Sequence, residues 1–121
     1  MVAWFEIPVK KMERAKSFYE TVFDISITVH DLGGFVMGWF PNQEGKSLAS
    51  GSLVQHEHYS PSATKGVLVY LSCDDLANEL AKVEDAGGKI IKPKTEIGNG
   101  HGFMALIIDS EGNRVALHSV S

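Results

Sequence analysis

Hydrophobic residues at the start of the chain change from a strand-like spacing to a helix-like spacing. Over residues 2–9 the apolar side chains alternate, and because successive strand side chains face opposite ways, Trp4 and Glu6 share the face away from Ile7. Over residues 10–23 the apolar positions recur at helical spacing, with charges mostly on the other side. This pattern predicts a strand followed by a helix that packs one side on a sheet.

The same order of elements occurs twice along the chain. Shifting the sequence by 64 positions places Trp4 on Leu68 and Glu6 on Tyr70, and a shift of 67 places EGKSLAS on EGNRVAL. A repeated unit of about half the chain indicates two similar modules that share one core. The remaining predicted elements are strands at 25–30, 35–40 and 48–54, then a strand at 67–72, a helix at 74–88, a short strand over 89–98 that Pro93 breaks, and two strands joined by the turn SEG.

Length and composition restrict the class of protein. The 121 residues fit a single domain, 1–121, which we divide into module 1 at about 1–54, a connector at 55–65 and module 2 at about 66–121. The net charge of −4 argues against nucleic acid or an anionic membrane surface as a partner. Cys73 is the only cysteine, so no intramolecular disulfide is expected, and residues 1–11 lack a signal-peptide pattern. We expect a cytoplasmic protein without a membrane-spanning segment.

Three segments of the chain are similar to segments of one known family. They are FEIPVKKMERAKSFYETVF in the first module, and LVYLSCDDLANELAKVEDAGGKI and FMALIIDSEGNRVALHS in the second. They resemble the vicinal oxygen chelate superfamily, also called the glyoxalase, bleomycin-resistance and dioxygenase superfamily. The resemblance implies an α+β fold in which two tandem βαβββ modules form curved mixed sheets enclosing a cavity. It also implies a homodimer, whose second chain completes the cavity in some members.

The resemblance also assigns positions for a divalent metal. Metal-using members take His, Glu or Gln ligands from the first and last strand of each module. In this chain those positions fall on residues that offer no suitable lone pair: Trp4, Ala49, Leu68 and Ala116. Two residues further along, on the face expected to line the cavity, lie Glu6, Gly51, Tyr70 and His118. Only Glu6 and His118 are good ligands there, whereas a catalytic site usually has three, so we expect no metal and no other cofactor.

Six side chains are predicted to line a ligand site: Trp4, Glu6, Trp39, Tyr70, His101 and His118. Glu6 is either a solvent-facing acid on an edge strand or a cavity acid whose burial a partner would have to offset. His118 could pair with Glu6 as a base or proton donor, or it could be a core histidine satisfied by one hydrogen bond. Glu6 and His118 are therefore the candidate catalytic residues.

Several of these positions have an equally plain interpretation. Trp4 and Trp39 could form aromatic walls or ordinary core. The segment GNGHGFM places His101 within a glycine-rich loop at 98–102, which is either a mobile lid or a flexible turn. His56 and His58 could bind a metal, but without a third ligand nearby an exposed linker is the better interpretation. Cys73 is interpreted as a small core residue.

Three functions are compatible with this sequence. The one we favour is metal-free binding of a small organic molecule, and the acid Glu6 would suit a cationic guest. The second is an enzyme, a glyoxalase-like lyase or isomerase or a related dioxygenase, whose chemistry uses a divalent metal. The third is a protein-interaction module without a ligand. The sequence leaves turnover and the identity of the ligand open.

Overall fold

The computed structural model describes residues 2–42 and 50–121, and these form two modules with the same topology. Module 1 consists of β1 (Phe5–Pro8), α1 (Met12–Phe23), β2 (Thr28–Leu32), β3 (Phe35–Trp39) and β4 (Gly51–Gln55). Module 2 consists of β5 (Tyr70–Ser72), α2 (Leu76–Val83), β6 (Lys89–Glu96), β7 (Phe103–Ile108) and β8 (Arg114–Ser119). The strand orders β1-β4-β3-β2 and β5-β8-β7-β6 describe two open four-stranded sheets. They confirm the predicted α+β fold of tandem βαβββ modules.

Each sheet is mixed because its first and last strands are parallel while the other pairs are antiparallel. β1 pairs in parallel with β4, and β5 pairs in parallel with β8. A parallel pair needs a long crossover connection, which the helix and two further strands of each module provide. Within residues 2–42 and 50–121, no helix is long and apolar enough to cross a bilayer.

The predicted elements differ from the observed ones mainly at their boundaries. β5 begins at Tyr70 rather than at residue 67. β6 continues through Pro93, which cannot donate a ladder hydrogen bond, and its pairing with β7 shifts register on either side of Lys92. The predicted strand at 48–54 is observed as Gly51–Gln55, while residues 48 and 49, like the rest of 43–49, lie outside the described residues.

One hydrophobic core extends through both modules. The helix-facing side chains of β1 and β4 include Ile7 and Leu53, which are buried against α1. Phe18 of α1 also reaches the second module, where it lies against Gly88 so closely that a Cβ there would collide with its ring. Helix α1 therefore packs on the sheet of its own module and on the other module at once.

The turn between β7 and β8 caps helix α1 from the other module. No side chain of its own N-cap residue, Lys11, caps this helix. Instead, Glu111 Oε1 accepts hydrogen bonds from the backbone N–H groups of Lys10 and Lys11, both at 2.9 Å, and its carboxylate also binds Arg14. A carboxylate at a helix N-terminus satisfies unpaired N–H groups and interacts favourably with the helix dipole. Glu111 thus joins the two modules at a helix end.

The pKa of Glu111 reflects this set of donors. Burial by itself raises the pKa of a carboxyl group, but the hydrogen bonds from Arg14, from the backbone of Lys11 and Lys10 and from Ser110 lower it more, to about 2. Folding therefore stabilises the charged form of the Glu111 carboxylate.

Asp109 makes a second connection in the same turn. Its carboxylate accepts the hydroxyl hydrogen of buried Tyr19 at 2.6 Å and the backbone N–H groups of Glu111 and Asn113. Burial, together with the charge of Asp109, raises the pKa of Tyr19 well above its usual value. Asn113 in turn donates to the carbonyl oxygen of Pro8 in β1. The DSEGNR segment, a hallmark of the resemblance, is therefore a structural clamp between the modules.

The strand register also corrects two positions assigned from the repeat. Glu6 lies opposite Ser52 in β1 and β4, and Tyr70 lies opposite Ala116 in β5 and β8, so a shift of 64 relates both pairs. The first-module position that matches Ala116 in the sheet is therefore Ser52, whereas Ala49 lies outside the described residues. The predicted match, Ala49, differs from the observed match, Ser52, because the β3–β4 connection is longer than the β7–β8 turn.

Gly51 does not share a face with Glu6. It pairs with Phe5, and a Cβ at Gly51 would collide with the Phe5 ring on the helix-facing side of the sheet. The expected cavity-face grouping of Gly51 with Glu6 is therefore wrong, because a change of one residue along a strand moves a side chain to the opposite face.

Candidate functional site

The module 1 sheet presents an aromatic and acidic cluster on its face away from α1. Trp4 and Trp39 meet edge to face, with ring centroids 5.8 Å apart and ring planes at 84°. Trp4 Nε1 donates a hydrogen bond of 3.4 Å to Glu6 Oε2. Strand alternation predicted that Trp4 and Glu6 would share this face. The structure adds Trp39 directly beside them, half-buried rather than part of the closed core.

Tyr59 of the connector completes the surroundings of Glu6. Its hydroxyl donates to Glu6 Oε1 at 2.7 Å, and this hydrogen bond to the carboxylate raises the pKa of Tyr59. Each oxygen of the exposed Glu6 side chain therefore has a donor from the chain itself. Glu6 is therefore an exposed acid on an edge strand rather than a buried cavity acid, and its hydrogen bonds hold Trp4 and Tyr59 in place.

Other aromatic and imidazole rings extend this face. The His30 ring lies 4.2 Å from the Trp39 ring, and the Phe35 ring stacks on the His56 ring at 4.0 Å with an angle of 7° between the planes. His30 shares a face with Trp39 because β2 and β3 are in register, which the alternation of β2 could have revealed. Stacking half-buries His56, whereas the His58 side chain is 80% exposed, so only His58 fits the expected exposed linker.

A cleft of about 510 Å³ lies between β1, the connector and the start of β8. Its volume falls within the range of about 300–1,000 Å³ that is usual for small-molecule sites. Its apolar lining includes Trp4, Phe5, Val67, Val69 and Val115. Its polar lining includes Glu6, Ser60, Ser62, Lys65 and Arg114. The expected residues Trp4 and Glu6 thus line one wall, and the connector supplies the other.

Three of the expected site residues lie in module 2, away from this cleft. Tyr70 is 52% exposed and, together with Cys73, lines an adjoining cleft of about 730 Å³. This second cleft shares Val2, Phe5, Val67 and Val69 with the first. His118 is half-buried, and its Nε2 lies 2.8 Å from the carbonyl oxygen of His101. Because a carbonyl oxygen only accepts hydrogen bonds, Nε2 carries the proton in this contact. Across residues 2–42 and 50–121, no hydrogen bond or ion pair joins Glu6 with His118.

The glycine-rich loop at 98–102 is held by the module it belongs to. Ile97 N–H donates to the carbonyl oxygen of Gly102 at 2.8 Å, and His101 N–H donates to that of Gly98 at 3.0 Å. Gly102 has a φ of +87°, and a Cβ there would collide with the carbonyl oxygen of Ser119. Only glycine fits such a position easily. The contact between His118 Nε2 and the His101 carbonyl oxygen joins this turn to β8, and the His101 side chain is exposed.

The residues present do not fit a divalent metal of the family's kind. Trp4 offers only an N–H donor, Leu68 and Ala116 offer no donor atom, and the Ser52 hydroxyl is directed at backbone carbonyl oxygens. Within the described ranges, no group of three or more His, Cys, Asp or Glu side chains could hold a metal ion.

The single cysteine is a poor nucleophile in this structure. Burial, with a smaller contribution from Glu79, raises the pKa of Cys73 to about 12. A thiol reacts as its thiolate, so Cys73 is almost wholly unreactive at neutral pH. This agrees with its interpretation as a small residue packed against the core.

Comparisons with known proteins identify the family and the fold. Glyoxalase I from Zea mays is 16% identical with a TM-score of 0.73 over 98% of this chain, which spans only 45% of the maize chain. TnmS3, an antibiotic binding protein from Streptomyces sp. CB03234, is 22% identical with a TM-score of 0.65, over 100% of this chain and 96% of its own. Hypothetical protein SA1046 from S. aureus is 21% identical with a TM-score of 0.68, over 96% and 94%.

A search of curated protein sequences found no match. At these identities the structural likenesses establish the fold alone. The sequence profile of one family, by contrast, matches residues 1–117, which is nearly the whole chain. The chain belongs to the Glyoxalase/Bleomycin resistance protein/Dioxygenase superfamily.

Proposed function

We propose that this protein binds a small organic molecule in the cleft beside Trp4, and that it does so without a metal. The observation that carries the proposal is the side chain at the family's first metal position. Trp4 replaces a metal ligand there with an aromatic wall, and its indole N–H is bound to Glu6. In this proposal Trp4 does not coordinate a metal, and its ring instead packs against the apolar part of the ligand.

The cleft supplies the two kinds of contact that a small-molecule site needs. Trp4, Phe5, Val67 and Val69 offer apolar and aromatic surface, and the polar groups at the rim can fix the orientation of a ligand. Glu6 and Tyr59 act as positioning residues, because their hydrogen bonds hold Trp4 at the wall. An aromatic ligand against Trp4 would gain about 0.5–1.5 kcal/mol beyond its buried area.

The similar structures include both a binding protein and enzymes. TnmS3 is named as an antibiotic binding protein, and this chain covers nearly all of it. Glyoxalase I of maize and of Leishmania major are enzymes by name, and this chain spans 45% of the first and 86% of the second. A glyoxalase-like lyase or isomerase activity would need metal ligands, and the side chains of Trp4, Ser52, Leu68 and Ala116 do not favour metal binding. A homodimer stays a prediction, which sedimentation of the purified protein would test.

Fluorescence offers a direct test because the chain has two tryptophans. We would titrate the protein with phenylnaphthylamine, a neutral apolar dye that accepts excitation energy from tryptophan. We expect saturable energy transfer that persists in Trp39→Phe, where Trp4 is the only donor. Trp4→Ala should weaken binding about tenfold or more, as expected for an aromatic contact at the centre of a site. The control Ile91→Ala, an exposed apolar residue outside the cleft, should leave the affinity unchanged.

Two results would contradict the proposal. If Trp4→Ala and Ile91→Ala have the same effect on dye affinity, the dye does not bind beside Trp4. If dialysis of the wild-type protein against a chelator abolishes binding, and added divalent metal restores it, the metal-free part is wrong.

A further inference from the structure

The cleft beside Trp4 contains unpaired positive charge. Its charged lining residues are Glu6, Lys65 and Arg114. Glu6 already accepts hydrogen bonds from Tyr59 and Trp4. The side chains of Lys65 and Arg114 are on exposed residues and make no hydrogen bond or ion pair with any residue of 2–42 or 50–121. The charged lining of the cleft therefore has two cations against the single carboxylate of Glu6, although the whole chain carries a net charge of −4.

The chain's other arginine shows what a structural arginine looks like in this fold. Arg14 binds both oxygens of Glu111, through Nε at 2.6 Å and through a terminal nitrogen at 2.9 Å. Among the residues that the structure describes, Arg114 has no such partner, and its guanidinium keeps the planar fork of donors that matches a carboxylate, sulfonate or phosphate group. The two arginines therefore differ in their partners: Glu111 provides a carboxylate for Arg14, whereas no described residue provides one for Arg114.

Backbone contacts hold Lys65 and Arg114 to the same wall of the cleft. Ser62 Oγ accepts the backbone N–H of Lys65 at 2.9 Å, which forms a tight turn. The Ser62 carbonyl oxygen accepts the N–H of Arg114 at 3.3 Å, and the Ser62 N–H donates to Asn113 Oδ1 at 3.2 Å. Because Asn113 is part of the buried clamp between the modules, this wall is anchored to the core.

We propose that Lys65 and Arg114 form an anion-binding subsite, so that the ligand is an amphipathic organic anion. Its apolar body lies against Trp4, Val67 and Val69, and its carboxylate, sulfonate or phosphate head meets the two cations. This inference rests on the proposed function and names the ligand class for the same cleft. It replaces the cationic guest that Glu6 alone suggests, because Lys65 and Arg114 outnumber the single carboxylate of Glu6, whose two oxygens already accept hydrogen bonds within the chain.

The test compares two dyes that share one ring system. Anilinonaphthalene sulfonate carries an anionic head, and phenylnaphthylamine lacks it. We expect the wild-type protein to bind the anion more tightly. Arg114→Gln should lower the affinity for the anion about tenfold, the loss expected for one charge-assisted hydrogen bond. Lys65→Gln should lower it severalfold, and neither change should alter the affinity for the neutral dye.

Matched controls separate this subsite from general electrostatics. Lys92→Gln removes an exposed lysine on β6, outside the cleft, and should leave both affinities unchanged. Arg114→Lys keeps the charge but loses the fork, so its affinity for the anion should lie between those of wild type and Arg114→Gln. Added salt should weaken binding of the anion more than binding of the neutral dye.

The possible outcomes distinguish this inference from the proposed function. If Arg114→Gln and Lys65→Gln leave the affinity for the anion unchanged, or weaken both dyes equally, the anion subsite is refuted. If Trp4→Ala still weakens the neutral dye in that case, the proposed function stands. If neither dye binds, or Trp4→Ala affects neither, both proposals fail together.

Discussion

Replacing Glu111 with glutamine tests how the second module stabilises the first. The carboxylate binds Arg14 and two backbone N–H groups at the start of α1, and its pKa falls from the usual 4.5 to about 2. One pKa unit corresponds to about 1.4 kcal/mol, so the charged form contributes about 3 kcal/mol to the free energy of unfolding. In Glu111→Gln the amide oxygen can keep one backbone hydrogen bond, so the expected loss at pH 7 is about 2 kcal/mol.

The pH dependence of this loss has a defined sign. A carboxyl group whose pKa is lowered by folding stabilises the protein fully above the pKa of the unfolded chain, here 4.5. That contribution disappears as the pH falls from 4.5 towards about 2, because the unfolded chain takes up the proton first. The wild type and Glu111→Gln should therefore differ by about 2 kcal/mol at pH 7 and approach equal stability near the acid end of this range.

Urea denaturation followed by circular dichroism at several pH values measures this difference. Glu84→Gln is the matched control, because Glu84 is exposed and its side chain has no partner in the described part of the chain. This control should stay within about 0.5 kcal/mol of the wild type at every pH. A loss in Glu111→Gln that does not change between pH 7 and pH 3, or no loss at all, would refute the account of Glu111 as a charged helix cap.

Three further predictions concern single residues. Gly102→Ala should lower the free energy of unfolding by about 1–3 kcal/mol, measured by thermal denaturation, because φ is +87° and the new Cβ meets the Ser119 carbonyl oxygen; a neutral effect would show that the loop can move away. Cys73 should react with iodoacetamide far more slowly in the folded protein than in urea, because its pKa is about 12, and equal rates would contradict that environment. Glu6→Gln should lower the pKa of Tyr59 in an absorbance titration read against Tyr59→Phe, because the carboxylate raises that pKa; an unchanged titration would mean that the hydrogen bond does not form in solution.

The fold was largely predictable because its signals are periodic and repeated. Alternation placed Trp4 and Glu6 on one strand face, and the repeat offset of 64 matches the observed pairing of Glu6 with Ser52 and of Tyr70 with Ala116. The second offset, 67, came from the shared Glu-Gly turn and matched Ala116 with Ala49, whereas the observed pairing matches Ala116 with Ser52. The loop lengths differ between the modules, and similar turn sequences do not fix the register of the following strand. A periodic pattern thus predicts an element better than its exact pairing.

The site was less predictable because half of it comes from the connector. Tyr59 and Lys65 lie in a segment without hydrophobic periodicity, so their positions depend on tertiary contacts that no local pattern encodes. The connector also determines the surroundings of Glu6, because its residue Tyr59 donates one of the two hydrogen bonds that Glu6 accepts, and Trp4 donates the other. For His118, the repeat predicted which face of the strand carries the side chain. It could not predict that His118 lies away from Glu6, because the repeat does not specify the distance between the two modules.

The most direct test of the central claim is a crystal structure of the protein with bound anilinonaphthalene sulfonate. The account predicts electron density for the dye in the cleft between β1 and the connector, with its rings against Trp4 and its sulfonate near Arg114. Density confined to the second cleft, beside Tyr70 and Cys73, would contradict the account.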